Sequence, residues 1–66
     1  MNNLKKIRLE RGMTQTELAE KIGITRTAIC NYEAGTREPD FETLRKLVSV
    51  LECTLDELIG TGEIPS

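Results

Sequence analysis

The sequence predicts an all-α fold, a compact domain of five short helices. Three observations lead there. The 66-residue chain holds only two prolines among runs of strong helix formers. Apolar residues recur at three- and four-residue spacings, and no stretch alternates with period two. The cap residues Thr14, Thr25, Asp40 and Thr54, with the stop glycines Gly12, Gly23 and Gly35, divide the chain into helix-length pieces.

The first helix is expected from Asn2 or Asn3 to Arg11, with Leu4, Ile7 and Arg8 on one face and Leu9 off it. Gly12 ends it. Thr14 caps the second helix, Glu17 completes a capping box, and Met13 is placed to staple onto Leu18. Leu18, Ala19 and Ile22 form its buried stripe, and Gly23 closes it. Thr25 caps the third helix, with Ile29 and Tyr32 as inward anchors and Gly35 as its stop. A polar loop, Thr36-Arg37-Glu38-Pro39, follows. Asp40 caps the fourth helix, whose apolar face is Phe41, Leu44, Leu47, Val48 and Leu51. Thr54, with Glu57 in a second capping box, starts a last helix carrying Leu55, Leu58 and Ile59. Residues 1–59 thus read as one domain and residues 60–66 as a short flexible tail.

A chain of this size buries only about 60% of its unfolded surface, so its core must be well made. Apolar content of 38% with 30% charged residues fits a globular domain rather than a disordered segment. There is no long apolar run, and the N-terminus is amphipathic rather than a signal peptide, so a cytoplasmic protein off the membrane is expected. Two cysteines and no histidine fit none of the usual zinc spacings, so neither metal nor cofactor is expected. Cys53 reads as buried apolar filler. Without histidine, a phosphate loop or paired inward carboxylates, no catalytic constellation can be named, and the chain does not read as an enzyme.

The net charge of −2 hides a gradient. Residues 1–37 hold seven basic side chains against four acidic ones, an excess of +3, and residues 38–66 hold two against seven, or −5. The local field steers binding more than the total does. The basic part contains the two helices joined around Gly23. The brevity of Thr14 to Gly23 to Thr25 forces a tight corner, held by Leu18, Ala19, Ile22, Ile29 and Tyr32. Such a corner can lay its second helix in the DNA major groove while the first braces it. With Ile29 inward, Thr27 and Asn31 point away at about 160° and 200°, at about 100° per residue. Arg26 and Cys30 lie on one flank and Ala28 on the other. Arg26 can reach guanine O6 and N7, Asn31 can pair with adenine, and Thr27 can touch a thymine methyl or a phosphate. The bland alternative is a solvated polar face.

Further residues carry a resemblance. They are Leu4-Lys5-Lys6-Ile7-Arg8, Gly12-Met13-Thr14-Gln15, Glu17-Leu18-Ala19, Ile22-Gly23-Ile24-Thr25, Ile29 and Tyr32-Glu33-Ala34-Gly35. After the corner come Arg37, Pro39, Leu44, Leu47, Leu51 and Leu55-Asp56-Glu57-Leu58. This pattern resembles the Cro/CI-type, or XRE-like, helix-turn-helix family of phage repressors and small bacterial regulators. The resemblance covers residues 4 to 59 and places the motif at about 14–34. It implies a lambda-repressor-like fold and a sequence-specific double-stranded DNA-binding regulator, a repressor, that is nucleoid-associated when bound. It implies base reading by Arg26, Thr27 and Asn31, and backbone or positioning contacts from Gln15, Thr25, Thr36, Arg37 and Arg8. Gln15 would touch a phosphate or reach the first base. Arg8 and Glu33 resemble the family's pair tying the first helix to the end of the third. The inward direction of both residues agrees, since a buried charge needs a partner. Two positions depart from the pattern: Ala34 where relatives often carry a polar phosphate contact, and Cys30 where serine is frequent.

A domain with so few base contacts usually binds as a symmetric dimer on a palindromic operator. Leu9, Leu55, Ile59 and Ile64 are the apolar residues least committed to the core, so helix 5 and the tail are the expected seam. The rival reading is a protein-interaction adaptor or antitoxin-type module using the same fold.

Overall fold

The computed structural model describes residues 3–60. Five helices follow one another: α1 Leu4–Glu10, α2 Gln15–Ile22, α3 Arg26–Ala34, α4 Phe41–Leu51 and α5 Leu55–Ile59. Among the described residues there is no strand, and no helix is long and apolar enough to cross a membrane. The expected tail from residue 61 onward, with Ile64, lies outside the described residues. Gly60, assigned to that tail, instead closes α5 as its left-handed cap, φ 79°.

The principal packing forms a closed ring. α1 lies against α3 and α5, α2 against α3 and α4, and α4 against α5. Each helix gives the centre an apolar stripe: Leu4 and Ile7, then Leu18, Ala19 and Ile22, then Ile29, then Leu47 and Leu51, then Leu58. Met13, Ile24, Tyr32, Leu44, Val48 and Cys53 pack partly buried around it.

The helix ends follow local chemistry. Thr14 accepts from the Glu17 N–H while the Glu17 carboxylate accepts from the Thr14 N–H, and Thr54 and Glu57 repeat this box at α5. Between α2 and α3 stand only Gly23, Ile24 and Thr25. Gly23 takes φ 80°, a left-handed conformation cheap only for glycine, and the Ile24 N–H returns to the Ala19 carbonyl at 3.0 Å. Thr25 then caps α3 through the Ala28 N–H. This sets the corner angle.

Two expectations are corrected. Phe41 is not on the buried face of α4; it is 70% exposed. With Leu47 inward, Leu44 and Leu51 fall within about 60°, whereas Phe41 lies about 120° away, at the first helical position. Cys53 is half-buried rather than interior filler. It borders an open groove of about 470 Å³ between α1 and α5. Burial, and then the charge of Glu57, push its thiol pKa up.

Two long-range ties give no sequence signal. Arg11 donates from Nε to the Leu51 carbonyl at 2.6 Å and from Nη2 to the Glu52 carbonyl at 3.1 Å, placing a cation on the C-terminal end of α4. Asn3 donates its backbone N–H to the Leu58 carbonyl at 2.7 Å and its amide to the Glu57 carbonyl at 2.9 Å. Glu52 itself turns left-handed, φ 54°, the single non-glycine with positive φ among the described residues.

Two outcomes follow. Left-handed geometry costs a non-glycine residue about 1–2 kcal/mol, and an acid opposes the helix dipole there. Set against a glycine's greater unfolded-state entropy of about 0.4–1 kcal/mol, Glu52→Gly raises the melting temperature by a few degrees. A lower one would mean that the Glu52 side chain itself stabilises the end of α4. The second concerns Asp40, whose Oδ1 accepts from the Thr43 N–H at 2.8 Å. Hydrogen bonds from Thr43, side chain first and backbone second, hold the Asp40 pKa below its ordinary 3.8. Its contribution is therefore complete above that value and is lost as pH falls through the folded-state pKa. The gap in melting temperature between wild type and Asp40→Ala is wide at neutral pH and narrows in acid. A gap constant with pH would show that the carboxylate charge contributes nothing.

Candidate nucleic-acid interface

α3 has one fully buried residue, Ile29, so most of its surface is open. Arg26, Thr27 and Cys30 are exposed on it, and Ala28 and Asn31 are half-buried. Thr25 precedes them at the cap, and Thr36 and Arg37 lie exposed just past the Gly35 stop. Thr25, Thr27, Ala28 and Asn31 share a shallow hollow of about 250 Å³ with Arg37 and Glu38 of the loop. The presence of Glu38 was hidden in the sequence, where it counts toward the acidic half.

Asn31 is less free than its outward angle implies. The turn after α3 folds back onto it: the Thr36 N–H reaches the Asn31 carbonyl at 3.1 Å and the Arg37 N–H at 3.4 Å. The Thr36 hydroxyl lies 3.3 Å from both the Asn31 carbonyl and its Oδ1. Thr36 therefore faces Asn31. A hydroxyl donating to Oδ1 leaves the Nδ2 donors turned elsewhere.

Behind this face runs a chain of polar side chains. Arg8 donates from Nε to Glu33 Oε2 at 2.6 Å, with Nη2 3.4 Å from Oε1. Its remaining arm, Nη1, donates to the Met13 carbonyl at 2.7 Å. The two side chains are only 7% and 6% exposed. Gln15 donates from Nε2 to Glu33 Oε1 at 3.0 Å, and Arg26 donates from Nη1 to Gln15 Oε1 at 2.9 Å. The chain thus runs from α1 through the end of α3 and the start of α2 to the first residue of α3. Sequence reasoning pairs Arg8 with Glu33 but misses both bonds of Gln15, whose partners are 18 and 11 residues away.

Every described buried side-chain nitrogen and oxygen has a hydrogen-bond partner. No group of three or more cysteine, aspartate and glutamate side chains among the described residues is placed to hold a metal ion. Cys30 is an exposed free thiol at the flank of α3.

The helix-turn-helix family matches residues 4–58, nearly the whole chain. The chain belongs to the helix-turn-helix family. This helix-turn-helix domain is 47% identical over 57 residues to the uncharacterized HTH-type transcriptional regulator YqaE of Bacillus subtilis, covering 86% of this chain and 49% of that protein. It is 41% identical over 61 residues to the HTH-type transcriptional regulator ImmR of the same organism, covering 92% and 48%. Against the cryptic phage CTXphi transcriptional repressor RstR of Vibrio cholerae the identity is 32% over 62 residues, covering 94% and 56%. The chain spans about half the length of these relatives. The crystal structure of a transcriptional regulator from Listeria innocua superimposes with a TM-score of 0.80 at 26% identity, over 97% of this chain and 58% of that one.

Within this helix-turn-helix domain the Arg8–Glu33 pair offers a direct test. Removing one side of a buried ion pair leaves the other charge uncompensated and costs about 3–5 kcal/mol. Glu33→Ala is expected to lower the urea midpoint by a corresponding amount, a large part of the stability of so small a domain. An unchanged midpoint would show that solvent relieves Arg8 at no cost.

Proposed function

We propose that this protein is a sequence-specific double-stranded DNA-binding transcriptional regulator, acting as a repressor with α3 in the major groove. The observation that carries the proposal is the open face of α3: exposed Arg26 and Thr27 with Asn31 beside them, on a helix braced from behind by a buried ion pair. In this reading Arg26, Thr27 and Asn31 read base edges, Arg26 by its fork on guanine and Asn31 by its amide on adenine. Arg37 and Thr25, at the rim of the hollow, contact backbone phosphate, with Thr36 orienting Asn31. The side-chain amide of Gln15 is already engaged, so its part in backbone contact falls to the N–H groups at the start of α2. Arg8 and Glu33 set the pose of α3 without touching DNA. Repression rests on the name of the relative RstR, and the workplace is cytoplasmic, nucleoid-associated DNA. No catalytic step belongs to this reading.

Two copies on a palindrome are part of the proposal, since one domain with so few base contacts discriminates weakly. Leu55, 41% exposed on α5, and the half-buried Ile59 mark the seam.

Selection from random duplexes tests the function. Enrichment of a palindromic site supports it; no enrichment at low salt overturns it and leaves a protein-binding module. On the enriched site, Arg26→Ala costs about 1–3 kcal/mol and relaxes preference at one base position. Arg37→Ala weakens all sequences alike and reduces the slope of log K against log salt by about one. Equal loss on cognate and random DNA for Arg26→Ala would make it a phosphate contact.

A further inference from the structure

The buried acid Glu33 does more than neutralise Arg8. We propose that it is a specificity-determining positioning residue: acting through the Gln15 amide, it fixes how Arg26 is presented to a base. This rests on the DNA-reading function proposed above.

An ionised carboxylate only accepts hydrogen bonds, and a guanidinium only donates them. Gln15 lies between one of each, with 3.0 Å to Glu33 Oε1 and 2.9 Å to Arg26 Nη1. Only one of the two orientations of its amide satisfies both neighbours, with the NH2 toward Glu33 and the oxygen toward Arg26. The assignment follows from the partners rather than from the nearly equivalent shapes of the amide N and O. Glu33 is itself immobilised, buried at 6% exposure and gripped by Arg8, whose other arm is tied to the Met13 carbonyl. The amide therefore has a fixed, anionic anchor.

The far end of the chain is different. Arg26 is exposed, and an exposed arginine samples many rotamers. The bond to Gln15 uses one of its five N–H donors and restricts the side chain, leaving the remaining donors for guanine O6 and N7. Pre-ordering of this kind sharpens preference at the base that Arg26 meets. Replacing Glu33 by glutamine removes the constraint at its root. A glutamine both donates and accepts, so the Gln15 amide can turn its NH2 toward Arg26 and lose the bond. Gln15→Met removes the bond while leaving Arg8–Glu33 in place.

The experiment is selection from random duplexes with wild type, Glu33→Gln, Gln15→Met, Arg26→Ala and the double variant Gln15→Met/Arg26→Ala, with melting curves for each. Wild type is expected to prefer guanine at one position per half-site. Gln15→Met and Glu33→Gln should reduce that preference about three- to tenfold, the scale of one modest hydrogen bond, at that position alone. The double variant should show the profile of Arg26→Ala with nothing added. Should Glu33→Gln fail to fold, Gln15→Met and the double variant decide. An unaltered profile for Gln15→Met or for folded Glu33→Gln, an even loss over all positions, or effects that add to those of Arg26→Ala would overturn this inference alone. A wild type that enriches no site would overturn the DNA-reading function and this inference with it.

Discussion

The ion pair between Arg8 and Glu33 is the constraint on which the rest of the molecule depends. α3 can keep an open face only by having little apolar surface in the core, and Ile29 is its single fully buried residue. One isoleucine, helped by half-buried Tyr32, does not fix the rotation of a helix about its own axis. A bidentate guanidinium–carboxylate contact does, because its planar geometry tolerates little rotation. Buried pairs contribute little net stability relative to an apolar replacement, and their use is more often to specify one arrangement. In this domain that arrangement is the pose of α3 relative to α1.

α1 is correspondingly more than a cover for the core. Its seven residues are flanked by Asn3, which bonds the carbonyls of Leu58 and Glu57, and by Arg11, which bonds those of Leu51 and Glu52. Arg8 reaches Glu33 from the middle. One short helix thereby joins the C-terminal ends of α3, α4 and α5, where helices leave carbonyls unsatisfied and carry partial negative charge. In a domain too small for a large core, these polar ties supply what apolar burial cannot. Arg11 also accounts for the left-handed turn at Glu52. Two guanidinium bonds on consecutive carbonyls hold the backbone there although a glycine would suit it better.

What the sequence disclosed was what depends on neighbouring residues. The caps at Thr14, Thr25, Asp40 and Thr54 and the stops at Gly23 and Gly35 are settled within one turn of chain, so spacing reveals them. The helical corner is likewise local. The direction of Arg8 and Glu33 followed from periodicity, and a family resemblance supplied the pairing. The contacts of Gln15, Asn3 and Arg11 were not legible. Each joins a side chain to a partner 11 to 54 residues away, and several partners are backbone carbonyls that any residue type can offer. Phe41 misled because steps of three residues drift about 60° each, so it stands about 120° from Leu47 although its spacing to Leu44 looks helical.

The charge gradient takes on a different meaning once side chains have places. Of the seven cations in residues 1–37, Arg8 is cancelled by Glu33 and Arg11 is turned onto the end of α4. Those at the open face of α3 and its hollow are Arg26 and Arg37, and Glu38 stands beside the latter. Lys5, Lys6 and Lys21 are exposed on α1 and α2, so the α3 face itself carries few cations, whatever the sum over the sequence suggests. For a DNA reader that has a definite consequence. Non-specific affinity grows with the number of phosphates neutralised. A face with few such contacts holds random DNA poorly and must draw a larger share of its binding from bases. Base contacts by one short helix are few, and the second copy proposed above would add its own bases at a fixed spacing. The low positive charge of the face and the proposed use of two copies are thus two sides of the same physical requirement.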